Sequence, residues 1–301
     1  MQSAADFEAG SDSGLVYSEF DPDWMRLLPK PTAHDDKYSR GVVGFVTGST
    51  QYPGAALLGV TAASRTGAGL IRLASDPEAT NLVLQARPEV VLATDELDSG
   101  SVPRAGAWVL GSGVAHESVA QRKRILSVLD SEAVSSGATP VVLDAHAATR
   151  EFLGRARVSV LTPHAGEAVK LLAEFGIERE RAQVEADTGS SAAELAALTN
   201  SVVLLKGSRT VCATADGGVV WQSAVAPASL STAGTGDVLA GLLGALLSKS
   251  PNQVAEASSL AVWLHSQAAF ELDAVAHWAA LDLAQQLAVT VANAEQGRYL
   301  A

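Results

Sequence analysis

From residue 41 onward, the chain alternates short runs of β-branched and other apolar residues with longer stretches rich in Ala and Leu. Short, continuously apolar runs are typical of strands that are buried on both faces of a parallel sheet. Strands that alternate with helices predict an α/β protein with a central, mostly parallel sheet flanked by helices. The predicted parallel strands cover residues 41–47, 70–73, 107–110, 140–143, 158–161 and 202–205.

The last third of the chain follows a different pattern. Residues 211–214 and 219–221 form two apolar runs separated by Ala215–Gly218, in which Asp-Gly supplies the positive φ of a tight turn. This pattern predicts an antiparallel hairpin, which we expect at an edge of the sheet. Helices are predicted over residues 54–66, 236–248, 252–276 and 281–292.

The linker and repeat patterns predict one domain. No Pro/Ser-rich linker divides the chain after residue 36 and no internal repeat occurs, so we expect a single domain over residues 37–301. Residues 1–36 are expected to form an N-terminal tail and lead-in. Residues 1–20 are acidic and lack the basic and apolar regions of a secretory signal. The longest apolar stretches have about ten residues, too few to cross a bilayer.

The overall charge restricts the partners that the protein could bind. The 301 residues include 21 Lys and Arg against 33 Asp and Glu, which gives a net charge of −12. Nucleic acids and anionic membranes are bound through clustered positive charge, so neither is an expected partner. The single cysteine, Cys212, can form neither an internal disulfide nor a zinc cluster, which favours a reducing compartment, the cytoplasm.

The segment that ends in Gly234–Asp237 is the strongest candidate for chemistry. Its small residues allow several backbone N–H groups to converge at the start of an apolar helix. A helix start favours an anion such as a transferring phosphate. Asp237 at this point could accept a proton from a substrate hydroxyl. Alternatively, Asp237 only caps the helix and the glycines only form its turn.

Other polar residues also follow predicted strands. Lys206–Thr210 could contact a nucleotide or could form a solvated turn. His164 could bind a polar ligand, Glu167 could complement a helix dipole, and Asp144 could hold a metal or polar ligand or simply begin a turn. Because an open α/β sheet places its ligand crevice at the carboxyl ends of its strands, these sites are expected to converge. The Walker and Gly-x-Gly-x-x-Gly phosphate motifs are both missing from the sequence.

Several motifs occur in a characteristic order. Thr-Pro-His-x-Gly-Glu at 162–167 and Lys-Gly-x-x-Thr at 206–210 precede Gly-Thr-Gly-Asp at 234–237. With these motifs the sequence resembles the ADP/ATP-dependent NAD(P)H-hydrate dehydratases, a branch of the ribokinase-like superfamily, over roughly residues 36–295. The other matching segments are Lys37, 44–49, 52–56, 67–69, 111–113, 144–145 and His265.

The resemblance implies a three-layer ribokinase-like fold and a repair reaction. Such an enzyme returns the S epimer of NADHX or NADPHX to NADH or NADPH. It uses ADP or ATP, with Mg²⁺, to convert the hydroxyl into a phosphate ester that is then eliminated. ADP is the expected nucleotide, because bacterial members typically use it. A homo-oligomer is also implied, together with a separate NAD(P)HX epimerase, since residues 1–36 are too few for one.

The resemblance also assigns roles to individual residues. Asp237 would be the catalytic base, and no metal ligand is assigned. The residues implied to bind the hydrated dinucleotide are Ala55, Gly113, His164 and Asp237. The residues implied to bind the adenine nucleotide are Lys206, Gly207, Ser208, Arg209, Thr210, Gly234, Thr235 and Gly236.

Two segments depart from the family pattern. His146 and Thr149 lie where Asp and Asn are common, and Ala226–Ser231 lacks the usual Gly-Asn-Pro-Gly run. Two alternative functions stay open. One is a ribokinase-like kinase of a small vitamin-precursor alcohol, which would use the same anion loop and Asp237. The other is a nucleotide-binding regulatory protein that has lost catalysis.

Overall fold

A computed structural model describes residues 21–28, 30–93, 97, 100–223, 225–275 and 277–299. The predicted acidic tail, residues 1–20, lies outside the described residues. Within them, nine strands form one sheet in the order β3-β2-β1-β4-β5-β6-β7-β8-β9. The strands are β1 (Val42–Val46), β2 (Leu70–Ala74), β3 (Val91–Leu92), β4 (Ala107–Leu110), β5 (Val141–Leu143), β6 (Ser159–Leu161), β7 (Val202–Leu205), β8 (Val211–Ala213) and β9 (Val219–Gln222).

Strands β1 to β7 are all parallel to one another, and they include the six predicted parallel strands together with β3, which was not predicted. The register pairs Val46 with Ala74 on one side and with Leu110 on the other, so adjacent strands end at nearly the same level. The predicted hairpin is confirmed, because β8 pairs antiparallel to β7 and β9, and β9 is the edge strand. The carboxyl ends of the parallel strands therefore lie along one edge of the sheet.

Helices connect the strands and cover both faces. Two of the four predicted helices agree with the structure within two residues at each end. The helix predicted over 281–292 extends three residues further, and the one predicted over 252–276 is shorter. The helices are α1 (Pro53–Thr66), α2 (Pro77–Ala86), α3 (Val119–Leu129), α4 (Glu132–Ser135), α5 (Ala165–Glu174), α6 (Arg181–Ala186), α7 (Thr188–Thr199), α8 (Thr235–Lys249), α9 (Val254–Asp273) and α10 (Ala280–Glu295).

The side chains of β1 show why the fold has three layers. Val43 and Phe45 point into one apolar core, which they share with α1, α8, α9 and α10. Val42 and Val46 point into a second core, which includes side chains of α3, α5, α6 and α7. Successive side chains of a strand face opposite sides of the sheet, so a strand covered on both faces is apolar throughout. The three-layer α/β prediction is confirmed.

The contact between α1 and α8 positions the start of α8. A methyl group built on Gly241 would lie 2.1 Å from the Gly59 carbonyl oxygen, so the two helix backbones touch where they cross. Any larger residue at Gly241 would separate the helices. A methyl group on Gly59 would lie 3.4 Å from the Asp237 carbonyl oxygen. The first turn of α8 is thereby held directly against α1.

A short 3₁₀ helix, Pro22–Leu27, precedes the first strand. Its Trp24 and Leu27 side chains are buried in the core that contains α9. The Trp24 ring lies perpendicular to Trp221 of β9, with the ring centroids 6.0 Å apart. The lead-in thus packs on the domain, while its boundary at residue 36 stays a prediction. No helix among the described residues is long and apolar enough to cross a membrane.

Candidate active site

Hydrogen bonds join the loops that follow the parallel strands into one surface. Gly48, after β1, donates its N–H to the Ser112 carbonyl at 2.8 Å. The Ser49 hydroxyl donates to the Gly113 carbonyl at 2.8 Å. On the other side of β5, the Lys206 N–H donates to the Pro163 carbonyl at 2.8 Å. The loop after β1 is thus joined to the loop after β4, and the loop after β6 is joined to the loop after β7.

Asp144, directly after β5, is the buried centre of this surface. Its carboxylate accepts hydrogen bonds from Ser112 Oγ at 2.7 Å, Thr162 Oγ1 at 2.6 Å and Lys206 Nζ at 3.3 Å. Only 4% of its side chain is exposed. A buried carboxylate needs such partners, because transfer of an unpaired charge from water is costly. Asp144 also begins a turn, as one sequence interpretation has it, because its carbonyl accepts from Ala147 N–H at 3.0 Å. Protein donors occupy the carboxylate that the other interpretation gave to a metal or a polar ligand.

Lys206 connects Asp144 to the start of α8. Its side chain is 21% exposed, and a methyl group built on Gly236 would lie 3.3 Å from Nζ. Burial alone would lower the pKa of Lys206, but the nearby carboxylates, led by Asp144, raise it above its ordinary value. The lysine therefore stays protonated and presents a fixed positive charge beside the glycines of the loop.

The turn before α8 is shaped by Gly234. This residue has φ +93°, a left-handed conformation that L side chains rarely adopt. A methyl group there would also lie 2.6 Å from Leu58 Cδ1 of α1. The hydrogen bonds within α8 include the one from Val238 N–H to the Gly234 carbonyl. The N–H groups earlier in the first turn have no carbonyl partner within the helix. Together with Lys206, they form a site suited to a phosphate group.

Asp237 lies half-buried in this first turn of α8. Burial, helped by the negative charge of Asp144, raises its pKa from the ordinary 3.8 to about 7, although Lys206 opposes the shift. A carboxylate with this pKa can exchange a proton near neutral pH. The sequence allowed two interpretations of Asp237, a proton acceptor and a helix cap. A helix cap would favour the charged carboxylate and so lower its pKa, whereas this pKa is raised. The proton acceptor therefore fits this environment better.

Thr235 and His265 stabilise the first turn of α8 through hydrogen bonds. The Thr235 hydroxyl donates to the Leu230 carbonyl at 2.8 Å, so this side chain serves the turn itself. His265 of α9 is buried, and burial lowers its pKa to about 4. Its imidazole is therefore neutral, and Nε2–H donates to the Thr235 carbonyl at 2.9 Å. His265, one of the positions that match the family pattern, is thus bonded to the anion loop from a buried position on α9.

A cavity of about 1270 Å³ opens beside the loop. It is large enough for a drug-sized or nucleotide-sized ligand. Its wall contains the Lys206–Thr210 segment and apolar side chains of Leu239 and Val262. The Ser208 carbonyl accepts from Ala226 N–H at 2.8 Å, which joins this segment to the approach of the anion loop. Charged and apolar walls in one cavity suit a ligand that has both a phosphate and a flat apolar part.

A model of the NAD(P)H-hydrate dehydratase family matches residues 43–292 of the chain. The chain belongs to this family. The match covers both the sheet and the anion loop, and the resemblance noted in the sequence is confirmed.

Two relatives and one solved structure describe the family. The chain is 32% identical over 263 residues to the ADP-dependent (S)-NAD(P)H-hydrate dehydratase of Xanthomonas campestris, covering 82% of this chain and 86% of that protein. It is 38% identical over 233 residues to the bifunctional NAD(P)H-hydrate repair enzyme Nnr of Corynebacterium glutamicum, covering 74% of this chain and 38% of that protein. The chain spans less than half the length of this and similar bifunctional relatives.

The structural comparison extends this likeness to the fold. The ADP/ATP-dependent NAD(P)H-hydrate dehydratase from Bacillus subtilis, co-crystallised with ATP and Mg²⁺, matches with a TM-score of 0.79 at 25% identity. The match covers 94% of this chain and 100% of that one. The ribokinase-like fold predicted from the motifs is therefore confirmed.

The residues that the family pattern assigns to the nucleotide form a continuous surface. Lys206 to Thr210 line the cavity together with Thr235 and Gly236. Arg209 Nη1 donates to the Ser223 carbonyl at 3.4 Å, and Thr210 is buried behind the segment. Gly234 forms the turn before α8 but is not among the described residues that line the cavity. The structure brings the assigned set together, and its binding of a nucleotide stays a prediction.

His164, assigned to the dinucleotide, is a helix cap in the structure. Its Nδ1 accepts from the N–H groups of Gly166 at 3.0 Å and Glu167 at 3.2 Å, while the Glu167 carboxylate accepts from His164 N–H at 2.9 Å. This capping box fixes the ring. With Nδ1 accepting, Nε2 carries the proton, and it lies 3.6 Å from Glu167 Oε1 in a side chain that is 57% exposed.

Ala55 and Gly113 lie against each other, away from His164. A methyl group built on Gly113 would lie 2.3 Å from Ala55 Cβ, and Gly113 has φ +63°. Among the described residues, His164 lines the cavity and neither Ala55 nor Gly113 does. The residues assigned to the dinucleotide therefore belong to two places joined through the loops, and their role in binding stays a prediction.

The two departures from the family pattern occupy different positions. His146 packs its ring against His116, with the centroids 5.0 Å apart, and burial lowers its pKa. Residues Ala228–Ser231 form a 3₁₀ helix that lines the cavity before the anion loop.

Sequence reasoning did not assign roles to the side chains of Ser112, Thr162 and Gln121. The first two are hydrogen-bonded to Asp144. Gln121 of α3 is buried, and its Nε2 donates to the Gly48 carbonyl at 2.6 Å. Ser112 and Thr162 lie inside motifs that the family resemblance highlights, so their position was a usable signal. No comparable signal marks Gln121, which lies far along the chain from the loop that it supports.

Proposed function

We propose that this protein removes water from the S epimer of NADHX or NADPHX, using an adenine nucleotide, and so restores NADH or NADPH. One observation carries the proposal: the half-buried Asp237, with a pKa of about 7, lies at the start of α8 beside the Lys206 ammonium. A base and an anion site at one point suit phosphoryl transfer to a hydroxyl. Membership of the dehydratase family supplies the substrate class.

Asp237 acts as the base in the first step. Its carboxylate takes the proton of the substrate hydroxyl, and the hydroxyl oxygen attacks the terminal phosphorus of the nucleotide. The bond from that phosphorus to its bridging oxygen breaks, and the shortened nucleotide leaves with the electron pair. The pKa of Asp237 lies near the working pH, where a general base is most effective.

The phosphoryl group is held by positive charge and backbone dipoles. Lys206 contributes its ammonium, and Gly236 allows that ammonium to approach the loop. The amides of the first α8 turn point toward the anion and need no reorganisation during transfer.

Elimination completes the reaction. The carbon–oxygen bond of the phosphate ester breaks, phosphate leaves with the electron pair, and a proton is lost from the neighbouring ring carbon as the double bond forms. With ADP, the balanced products are NADH, AMP and phosphate. The second step needs no other co-reactant.

Mg²⁺ is implied by the family reaction. Among the described residues, no group of three or more His, Cys, Asp or Glu side chains could hold a metal ion. Mg²⁺ commonly keeps several waters and is bound largely through substrate phosphates. The Mg²⁺ would therefore arrive with the nucleotide, held largely by the nucleotide phosphates, and would neutralise part of their charge.

ADP as the preferred nucleotide, a homo-oligomeric state and a separate epimerase are further parts of the proposal. ADP is supported by the name of the Xanthomonas campestris relative. The epimerase is supported by the bifunctional relatives, which are more than twice the matched length.

An absorbance assay tests the proposed reaction. The purified protein is incubated with (S)-NADHX, Mg²⁺ and either ADP or ATP, and NADH recovery is followed with time. We expect recovery that requires the nucleotide and releases phosphate in equal amount. A stable phosphorylated alcohol without NADH would replace the dehydratase by a kinase, and nucleotide binding without any turnover would favour the regulatory alternative.

A further inference from the structure

The bonds around Asp144 come from loops after three different strands. Ser112 follows β4, Thr162 follows β6 and Lys206 follows β7, whereas Asp144 itself follows β5. Ser112 binds Oδ2, while Thr162 and Lys206 both bind Oδ1. The two hydroxyls fix the plane of the carboxylate, and Oδ1 then faces the lysine. The orientation of one buried carboxylate thus decides where the ammonium lies.

We infer that Asp144 is a positioning residue, which holds the Lys206 ammonium at the start of α8 where the transferring phosphoryl group would lie. The inference deepens the proposed function and rests on it for the identity of the transferred group. A free lysine has four flexible methylene groups and would lose considerable side-chain entropy on binding a phosphate. Anchoring Nζ to Asp144 removes that cost in advance.

A purely stabilising role explains the arrangement less well. Buried ion pairs often contribute little net stability, because desolvation offsets their attraction. The pair is also open at one end, since Lys206 retains an exposed fraction of 21% against 4% for Asp144. Lys206 lines the cavity on that exposed side. The pair therefore presents a cation to a ligand space and is not sealed inside the core.

The charges around Asp237 make the role of Asp144 measurable. Asp144 raises the pKa of Asp237, and Lys206 lowers it. Glu167 also acts on Lys206, while His265 bonds to the adjacent Thr235 in its neutral form. Removal of the Asp144 charge eliminates one of the causes that raise the pKa of Asp237. It also frees Lys206 to pair with Asp237. Both changes lower the pKa of Asp237.

The test is Asp144→Asn, which keeps the shape and one acceptor oxygen. We expect turnover to fall at least about tenfold, because Lys206 loses its charged anchor. The acidic limb of the kcat/KM profile is expected to move to lower pH by about one unit or more. ADP affinity is expected to change much less than turnover, since loss of a negative charge favours phosphate. An unchanged turnover and acidic limb would overturn the inference.

Asp76→Asn is the matched control. Asp76 pairs with Arg124 at 3.3 Å, the same distance as in the Asp144–Lys206 pair, and its side chain is 16% exposed. It follows β2, which β1 and β4 separate from β5. We expect the acidic limb of this variant to stay at the wild-type pH. A shift as large as that of Asp144→Asn would assign the effect to any lost ion pair and overturn the inference.

A second pair of variants covers the case in which Asp144→Asn fails to fold. Thr162→Val removes the hydroxyl that orients Oδ1, and Thr162→Ser keeps it. We expect turnover to fall roughly threefold or more in the Val variant and to be largely restored in the Ser variant. Equal turnover in both variants would contradict positioning through this carboxylate.

Carboxyl ¹³C NMR of Asp-labelled protein separates this inference from the proposed function. It follows the titration of Asp237 without substrate, and Asp237→Asn assigns the signal. If the wild type never restores NADH but Asp144→Asn still lowers the Asp237 pKa, the proposed function fails and the coupling between these residues stands. If the titration is unchanged by Asp144→Asn, the inference fails even when the dehydratase reaction proceeds.

Discussion

Asp144 and Asp237 lie along the same edge of the sheet, but their surroundings are opposite. Asp144 accepts hydrogen bonds from two hydroxyls and an ammonium. Asp237 is half-buried, and that burial, together with the charge of Asp144, raises its pKa to about 7. One carboxylate is thereby held in place by protein donors, while the other can exchange a proton. Satisfied hydrogen bonds distinguish a positioning group from a reactive one.

Removal of the reactive carboxylate should have the largest effect. Asp237→Asn is expected to lower turnover by about 10²- to 10⁴-fold, the usual contribution of a general base. ADP binding should be largely kept, because the amides and Lys206 hold the phosphate. Steady-state kinetics and calorimetric titration with ADP measure the two effects. Loss of ADP binding would contradict this division of roles.

Lys206→Ala is expected to act mainly on binding. The variant removes the cation beside Gly236, so the Kd for ADP should rise at least about tenfold, as for other charge-assisted contacts. The surface variant Lys170→Ala on α5 serves as the control, and its ADP affinity should equal that of the wild type. An unchanged Kd in Lys206→Ala would remove this residue from the nucleotide site.

The raised pKa of Asp237 also makes a prediction about stability. In the folded protein this group holds its proton until about pH 7, whereas the unfolded chain releases it near 3.8. The folded state therefore loses stability as the pH rises between these values. Asp237→Asn cannot ionise, so at about pH 8 it should be more stable than the wild type by up to a few kcal/mol.

Denaturant unfolding at about pH 4 and at about pH 8 checks this sign. The stabilisation should appear only at the higher pH. An equal gain in stability at both pH values would show that ionisation of Asp237 does not destabilise the folded protein. A loss of stability at the higher pH would show that the pKa of Asp237 is lowered by folding and not raised.

Gly113→Ala tests the contact on the other side of the loop. Its new methyl group would meet Ala55 Cβ at 2.3 Å and would occupy a left-handed backbone conformation. We expect destabilisation of about 1–3 kcal/mol and a raised KM for the hydrated dinucleotide. Denaturant unfolding and kinetics measure both.

Gly154→Ala is the matched control for that variant. Gly154 has φ +77° but nothing within 4 Å of an added methyl group, so it reports the backbone strain alone. Its destabilisation should be smaller than that of Gly113→Ala, and its KM should not change. Equal destabilisation in the two variants would show that the contact with Ala55 contributes nothing.

Local patterns predicted the parallel strands well, whereas the helices between β2 and β7 were not given bounds. The strands at Ala107–Leu110 and Val202–Leu205 have the predicted bounds, because their apolar runs match the length of a strand buried on both faces. Helix α2 was not predicted, although Pro77 after Asp76 is a typical helix start. Helix α9 ends at Asp273, three residues before the predicted end; Ala276 lies outside the described residues.

The candidate site was predicted only in part. The anion loop and Lys206 carry local signals, namely small residues before an apolar helix and a cation after a strand. The bonds of Asp144 depend on the neighbours of β5 in the sheet, and its partners lie 18 to 62 residues away in sequence. A pKa of about 7 for Asp237 depends in turn on burial by several elements. Neither could be predicted from residue spacing.

The pH dependence of NADH recovery tests the central claim most directly. With (S)-NADHX, ADP and Mg²⁺, the wild type should restore NADH, with an acidic limb in kcat/KM near pH 7 that reports the ionisation of Asp237. Asp237→Asn should lose most of the activity, and its residual activity should lack the limb. Wild-type recovery of NADH by Asp237→Asn, or a phosphorylated product that accumulates without NADH, would contradict the account.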